Sequence, residues 1–237
     1  MKFFVLLLLI LSFSACSVYT PTATPIIYTE KKGDKQINAG LEYFSGSPLI
    51  FSSAVFYSPV NHLAIGSNIK LRTDLTYQLE LNTGYIYTLK NFQIGLLGLI
   101  SKGDFKESSL IWNDHLQGEY SNFGGLFQVG YKTELFDLFF SNKFSRVNWE
   151  FNKSISMNPR YSYDYNFSGF AVEPATTGVI KPFEKIKVAI DYTYGFYNKS
   201  NYRRIGNKFN YLYDEDFIPV RSWGQIGVSV IFLFPKN

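Results

Sequence analysis

Residues 186–197 read Ile-Lys-Val-Ala-Ile-Asp-Tyr-Thr-Tyr-Gly-Phe-Tyr, and they sort by parity. The even positions Ile186, Val188, Ile190, Tyr192, Tyr194 and Phe196 are apolar or aromatic, while the odd ones, Lys187, Ala189, Asp191, Thr193, Gly195 and Tyr197, are charged, small or hydroxyl-bearing. A period of two marks a strand whose faces meet different surroundings. Slipping it by one residue would move Lys187 and Asp191 to the apolar side. If that side is lipid, the lysine alone costs roughly 2 to 4 kcal/mol at mid-bilayer.

The same split recurs along the chain. Ile37, Leu41 and Tyr43 oppose Gln36, Asn38, Gly40 and Glu42, and Leu63, Ile65, Ile69 and Leu71 oppose His62, Ala64, Gly66, Asn68 and Lys70. Tyr77, Leu79, Leu81, Tyr85 and Tyr87 oppose Gln78, Glu80, Asn82 and Gly84, and Phe123, Phe127, Val129 and Tyr131 oppose Asn122, Gly124, Gln128, Gly130 and Lys132. Near the end, Ile226, Val228, Val230, Phe232 and Phe234 oppose Gln225, Gly227 and Ser229. Segments 49–58, 92–101, 137–149 and 168–181 bring the count to about ten strands. In 137–149, Lys143 and Arg146 have opposite parity. With Leu138, Phe140 and Phe144 outward, Lys143 turns inward and Arg146 sits near a rim, with a bulge as one way to absorb the conflict. Pro174 lacks a ladder donor, which predicts a bulge or bend in 168–181.

Alternation alone fits a soluble sandwich or barrel equally well, so the connections decide. The even-numbered ones are short, near Pro59-Val60-Asn61, Lys90-Asn91, Glu134 to Asp137 and Phe183-Glu184-Lys185. The long ones, 102–120, 150–167 and 199–220, are all odd-numbered and fall at one end. Outer-membrane barrels sort loops in this way, with short turns on the periplasmic side and long loops outside. An open sheet edge in lipid would strand backbone polar groups at several kcal/mol each, so the sheet must close. The expected fold is an all-β, transmembrane, antiparallel up-and-down barrel over residues 36–234. Its inward face would carry Glu42, Lys70, Glu80, Lys132, Lys143, Glu173, Lys187 and Asp191, paired or solvated inside a narrow lumen.

Upstream, Lys2, an apolar run from Phe3 to Leu11 and the small residues Ser14-Ala15 before Cys16 describe a secretory signal over residues 1–15, too short for a membrane-spanning helix. Cys16 is the one cysteine of the chain, so no intramolecular disulfide is available. Residues 16–35, with Pro21 and Pro25, several threonines and a charged cluster, read as an extended tether. Formal net charge is +4, which calls for no nucleic-acid partner. The 23 Phe, 18 Tyr and 3 Trp suit strands and interfacial girdles.

The Ser14-Ala15-Cys16 arrangement resembles a bacterial lipobox. With Tyr19, Pro21, Pro25, the segment Glu30-Lys31-Lys32-Gly33-Asp34, the turn Val60-Asn61-His62, the pair Glu173-Pro174 and the ending Gln225-Ile226-Gly227-Val228-Ser229, the chain is similar to a group of uncharacterised outer-membrane β-barrel lipoproteins of Bacteroidota. The resemblance implies a diacylglycerol and an N-acyl chain on Cys16 and no other cofactor. Ser17-Val18-Tyr19-Thr20 follows in place of an acidic export cluster, which implies a lipid kept in the periplasmic leaflet. Phe234, followed here by Pro235-Lys236-Asn237, resembles the terminal aromatic read by the barrel-insertion machinery. That machinery, the lipoprotein-sorting apparatus, outer-membrane lipids and lipopolysaccharide are the implied partners.

Catalytic chemistry has few candidates. Of two histidines, His62 opens a strand at a short turn and reads as structural. His115 lies within Trp112-Asn113-Asp114-His115, near Ser108, so Ser108, His115 and Asp114 form a conceivable acyl-transfer set for a lipid or peptide hydrolase, although no spacing rule is met. There is no zinc spacing and no phosphate-binding glycine loop. Tyr161, Tyr163 and Tyr165, with Arg203, Arg204, Tyr211 and Tyr213, suit an interfacial girdle or a surface that stacks on a ligand while the arginines meet lipopolysaccharide phosphates. The expected role is structural or surface-binding, toward an extracellular ligand that the sequence does not identify. A hydrolase around His115 and a narrow selective pore are the alternatives.

Overall fold

The computed structural model describes residues 26–44, 49–73, 76–108, 114–155, 162–205 and 222–235. Its strands are β1 (Lys35–Phe44), β2 (Ile50–Val60), β3 (Leu63–Arg72), β4 (Tyr77–Leu89), β5 (Phe92–Ser108), β6 (Asp114–Lys132), β7 (Phe136–Ile155), β8 (Ser162–Ile180), β9 (Ile186–Ile205) and β10 (Ser222–Phe234). Each strand pairs antiparallel with its sequence neighbour, and β1 seals the wall against β10, from Lys35 opposite Phe234 to Phe44 opposite Gln225. The fold is therefore a closed up-and-down barrel of ten strands, and no sheet edge remains around the ring.

Parity assigns the faces as the sequence requires. On β9, Ile190 and Phe196 are exposed on the outer surface, while Lys187, Ala189 and Thr193 are buried inside. On β7, Phe140 and Phe144 point out and Lys143 points in, fully buried. The β7 register runs without a break against both neighbours, so no bulge forms there. Arg146 faces outward just above Phe144, where the apolar band gives way to Asn148 and Glu150. Around Pro174 the β8–β9 ladder skips a step without changing register, and the register shift falls instead at Ser168/Gly169.

The turns at one end are tight. Asn61-His62 joins β2 to β3 and Lys90-Asn91 joins β4 to β5, with His62 and Lys90 in the left-handed region (φ 69° and 53°). At the other end the strands run longer than the alternation indicated. β5 to β9 have 17 to 20 residues and the other five have 10 to 13, whereas about 9 to 11 suffice to cross a bilayer. Most of 102–120 and 150–167, expected as loops, is thus paired strand, and β9 continues to Ile205. Past the apolar band the outward residues turn polar, as Asn148 and Glu150 do on β7, so the ladder persists after its apolar period has vanished. The surplus residues raise a five-stranded wall roughly 20 Å past the apolar band.

Leu96 stands at the middle of that band and is 64 % exposed. Leu96→Arg is expected to cost about 2 to 4 kcal/mol, read as a lower thermal midpoint of the barrel in lipid vesicles. An unchanged midpoint would mean that this face does not meet acyl chains.

Candidate functional site

The lumen concentrates the chain's buried charge, and it is closed from the short-turn end by the chain itself. Of the stretch 16–35 read as a tether, residues 26–30 are packed into the barrel mouth, residues 31–34 turn at its rim with Lys31 and Lys32 exposed, and Lys35 already belongs to β1; residues 16–25 lie outside the described residues. Ile27 is fully buried against Ala54, Phe56, Ala64, Ile86, Leu97, Leu99 and Leu126. Ile26 joins Phe139, Val179, Ala189 and Ile231. Two buried amides hold the backbone: Gln36 Nε2 donates to the Ile26 carbonyl and Gln93 Nε2 to the Ile27 carbonyl, each at 2.5 Å, while Tyr28 N–H donates to Gln36 Oε1 at 2.7 Å.

Tyr28 anchors the rest. Its hydroxyl donates to Asp137 at 2.8 Å, its ring meets Phe139 edge-on at 5.6 Å, and Lys187 Nζ lies 3.5 Å from the ring centre. Burial first, and then the Asp137 carboxylate, push the Tyr28 phenol far above its ordinary value, so it stays protonated as the donor. Asp137 also pairs with Lys181 at 2.6 Å and Lys187 at 3.7 Å. Nearer the rim, Glu30 lies 3.2 Å from His62 Nδ1 and accepts from Thr88 N–H, while His62 packs on Tyr85 and Tyr87. These contacts give His62 the structural place expected of it. The inward apolar residues went unread in the sequence, but the run Leu96-Leu97-Gly98-Leu99-Ile100 and the pair Phe139-Phe140 are apolar at both parities, which was the available signal.

Phe139 fits because its cross-strand neighbour is glycine. A Cβ on Gly130 would lie 2.2 Å from a Phe139 ring carbon. Gly130→Ala is expected to destabilise the barrel by about 1 to 3 kcal/mol through overpacking, checked by thermal unfolding; Gly178→Ala, with nothing within 4 Å of its added Cβ, is the neutral control.

Higher in the lumen, Lys143 Nζ donates to Glu80 at 2.7 Å and lies 4.0 Å from Glu173, with all three side chains buried. Lys70 pairs with Glu42, which also accepts from Gln225. Tyr120 hydroxyl donates to Gln78 at 2.7 Å, and the buried rings of Trp149 and Tyr197 meet edge-on at 4.5 Å. A cavity of about 30 Å³ remains beside Ile26, Glu42 and Asp191, room for about two waters.

At the long-loop end the register brings two of the predicted residues together. Ser108 stands directly opposite His115 on the β5–β6 ladder. Asp114, the next position, pairs with Ile155 on β7. Asn166 is opposite Arg203 and Tyr165 opposite Arg204 on β8–β9, which places Tyr163, Tyr165, Arg203 and Arg204 on strands of the raised wall. The period-two spacing of Tyr161, Tyr163 and Tyr165 was the sequence signal for that strand. Tyr161, Tyr211, Tyr213 and Cys16 lie outside the described residues. Among the described residues no group of three or more His, Cys, Asp or Glu is arranged to hold a metal ion.

No family model matches the chain, and neither does any curated protein. Solved structures do. The outer membrane protease OmpT from Escherichia coli aligns at 10 % identity over 86 % of this chain and 94 % of its own, with a TM-score of 0.56. The KdgM porin aligns at 11 % over 84 % and 99 % with a TM-score of 0.42, and Ail, the attachment invasion locus protein of Yersinia pestis, at 9 % over 86 % and 99 % with a TM-score of 0.35. At such identities the likeness speaks of fold alone. This chain has the fold of an outer-membrane β-barrel.

Proposed function

We propose that the protein is an outer-membrane lipoprotein, held by a diacylglycerol and an N-acyl chain on Cys16 in the periplasmic leaflet, that serves as a structural or surface-binding component of a bacterial envelope like those of Bacteroidota. The carrying observation is the occluded lumen: residues 26–30 fill one mouth, and the buried Lys143 with Glu80 and Glu173 fill the middle. A filled barrel supports a scaffold better than a pore. The raised β5–β9 wall then offers the surface for a ligand or for lipopolysaccharide, with Arg203 and Arg204 suited to its phosphates.

Three measurements test this reading. The lipidated chain, reconstituted in planar bilayers, is expected to give no conductance steps, and regular steps would replace the scaffold with a pore. Palmitate label is expected on the wild type and absent from Cys16→Ser. For surface binding, Arg203→Glu with Arg204→Glu is expected to weaken retention on lipopolysaccharide at least fivefold, and equal retention would remove those residues from the site. A second reading, a lipid or peptide hydrolase, is favoured by the single observation that Ser108 faces His115 across the ladder. His115→Ala would then abolish any hydrolysis shown by the wild type, and activity that survives the change would dismiss it.

A further inference from the structure

Arg146 departs from the apolar company of its rung. It is exposed on the outward face of β7, and the residues opposite it on the two neighbouring strands are Phe123 of β6 and Phe170 of β8, 70 % and 57 % exposed. A guanidinium thus stands between two rings that face the lipid. One rung further along, the outward residues Lys102, Ser121 and Asn148 lie opposite one another on β5, β6 and β7. All three carry hydrogen-bond donors.

Height fixes what this boundary meets. Ten residue steps separate Phe136, the first outward ring of β7, from Arg146. At about 3.3 Å per residue on a strand tilted by about 40°, they rise roughly 25 Å, the height of the apolar band. With the long-strand end outside the cell, Arg146 lies at the level of the lipid phosphates of the outer leaflet. The chain offers it no anion there, since Arg146 makes no ion pair or hydrogen bond with any described residue. Of the acids nearby, Glu119 is held by Lys102 at 2.6 Å, Asp104 accepts from Tyr77 N–H, and Glu150 stands four residues up β7, about 13 Å away. An exposed guanidinium whose donors lack protein acceptors suits a bidentate contact with phosphate.

We propose that Arg146 holds a phosphate of the outer-leaflet glycolipid, lipopolysaccharide, with Phe123 and Phe170 against its acyl chains and Ser121 and Asn148 toward its sugar. The site rests on the reading of the outer surface but uses another part of the wall. Arg203 and Arg204 stand opposite Asn166 and Tyr165, at least four residues beyond Phe170.

The whole mature chain, wild type or Arg146→Gln, is refolded in zwitterionic detergent micelles and titrated with lipopolysaccharide or with its dephosphorylated form, and loss of compact gel migration gives the thermal midpoint. Intact lipopolysaccharide is expected to raise the wild-type midpoint saturably by about 3 to 6 °C. The half-saturating concentration should be at least fivefold higher in Arg146→Gln, and equally so for the wild type with the dephosphorylated form, with Arg146→Lys between. Before any lipid is added, Arg146→Gln and the wild type should share one midpoint, because no protein contact is lost. Equal half-saturating concentrations for the two proteins, a full effect of the dephosphorylated form, or a lower midpoint of Arg146→Gln without lipid would each overturn the proposal. A wild type indifferent to lipopolysaccharide would remove the surface reading together with this site. A response weakened by Arg203→Glu with Arg204→Glu, but not by Arg146→Gln, would remove this site alone.

Discussion

Replacing Lys143 with methionine is expected to lower barrel stability by about 3 to 5 kcal/mol, because it removes the buried ammonium that pairs with Glu80 and lies beside Glu173. Glu80 and Glu173 are 0 % and 2 % exposed, and the Lys143 ammonium, at 0 %, lies 2.7 Å from the first and 4.0 Å from the second. The carboxylates must then either stay charged in a dry lumen or take up protons at neutral pH, and both are unfavourable. For a chain of this size the midpoint of heat-modified gel migration should drop by about 10 °C. The informative partner is the triple change Lys143→Met, Glu80→Gln, Glu173→Gln. Removing all three charges also removes the cost of desolvating them, so most of the lost stability should return, as found when buried ion clusters give way to neutral packing. A single variant as stable as the wild type would mean that water reaches this layer, and with it that the lumen is open.

Placing a carboxylate at position 27 should have an effect of similar size at the other end of the lumen. Ile27 has 0 % exposure and touches Phe56, Ile86, Leu97 and Leu126 among others. Ile27→Asp would bury a charge in that apolar cluster at several kcal/mol, more than the amide clamps from Gln36 and Gln93 can offset at about 1 kcal/mol each. The segment 26–34 is therefore expected to leave the mouth while the ten strands, whose ladder does not include it, stay closed. Trypsin should then cut at Lys31 or Lys32 at least tenfold faster than in the wild type, where Lys31 N–H is bound to Asp34 and Lys32 N–H to Asn61. Equal cleavage rates would show that residues 26–34 do not depend on this contact. The compact migration of the barrel on gels distinguishes release of the segment from global unfolding.

Much of this molecule was legible in its sequence because the bilayer imposes a rule on every second residue. The inward set from Glu42 to Asp191 and the outward set from Ile37 to Phe234 follow from parity, and the ladder places them accordingly. The conflict in β7 was resolved by the same rule, with Lys143 inside and Arg146 outside. Legibility ended where the outward residues are no longer apolar. Beyond the apolar band β5 to β9 continue as strands among polar residues, so 102–120 and 150–167 looked like loops. The candidate catalytic residues lie in that silent region, and only the β5–β6 register puts Ser108 opposite His115.

The sequence by itself determined which face of most strands meets lipid and where the short turns fall, because those choices depend on side-chain chemistry at a fixed period of two. Only the tertiary structure decided which inward charges become partners, that Ile26 and Ile27 return to fill the mouth, and that Asp191 and Glu42 meet over Gly227. Those contacts join residues far apart in the chain, 185 positions in the case of Glu42 and Gly227. The wall's closure brings such residues together, and nothing in the local pattern of the chain encodes that distance.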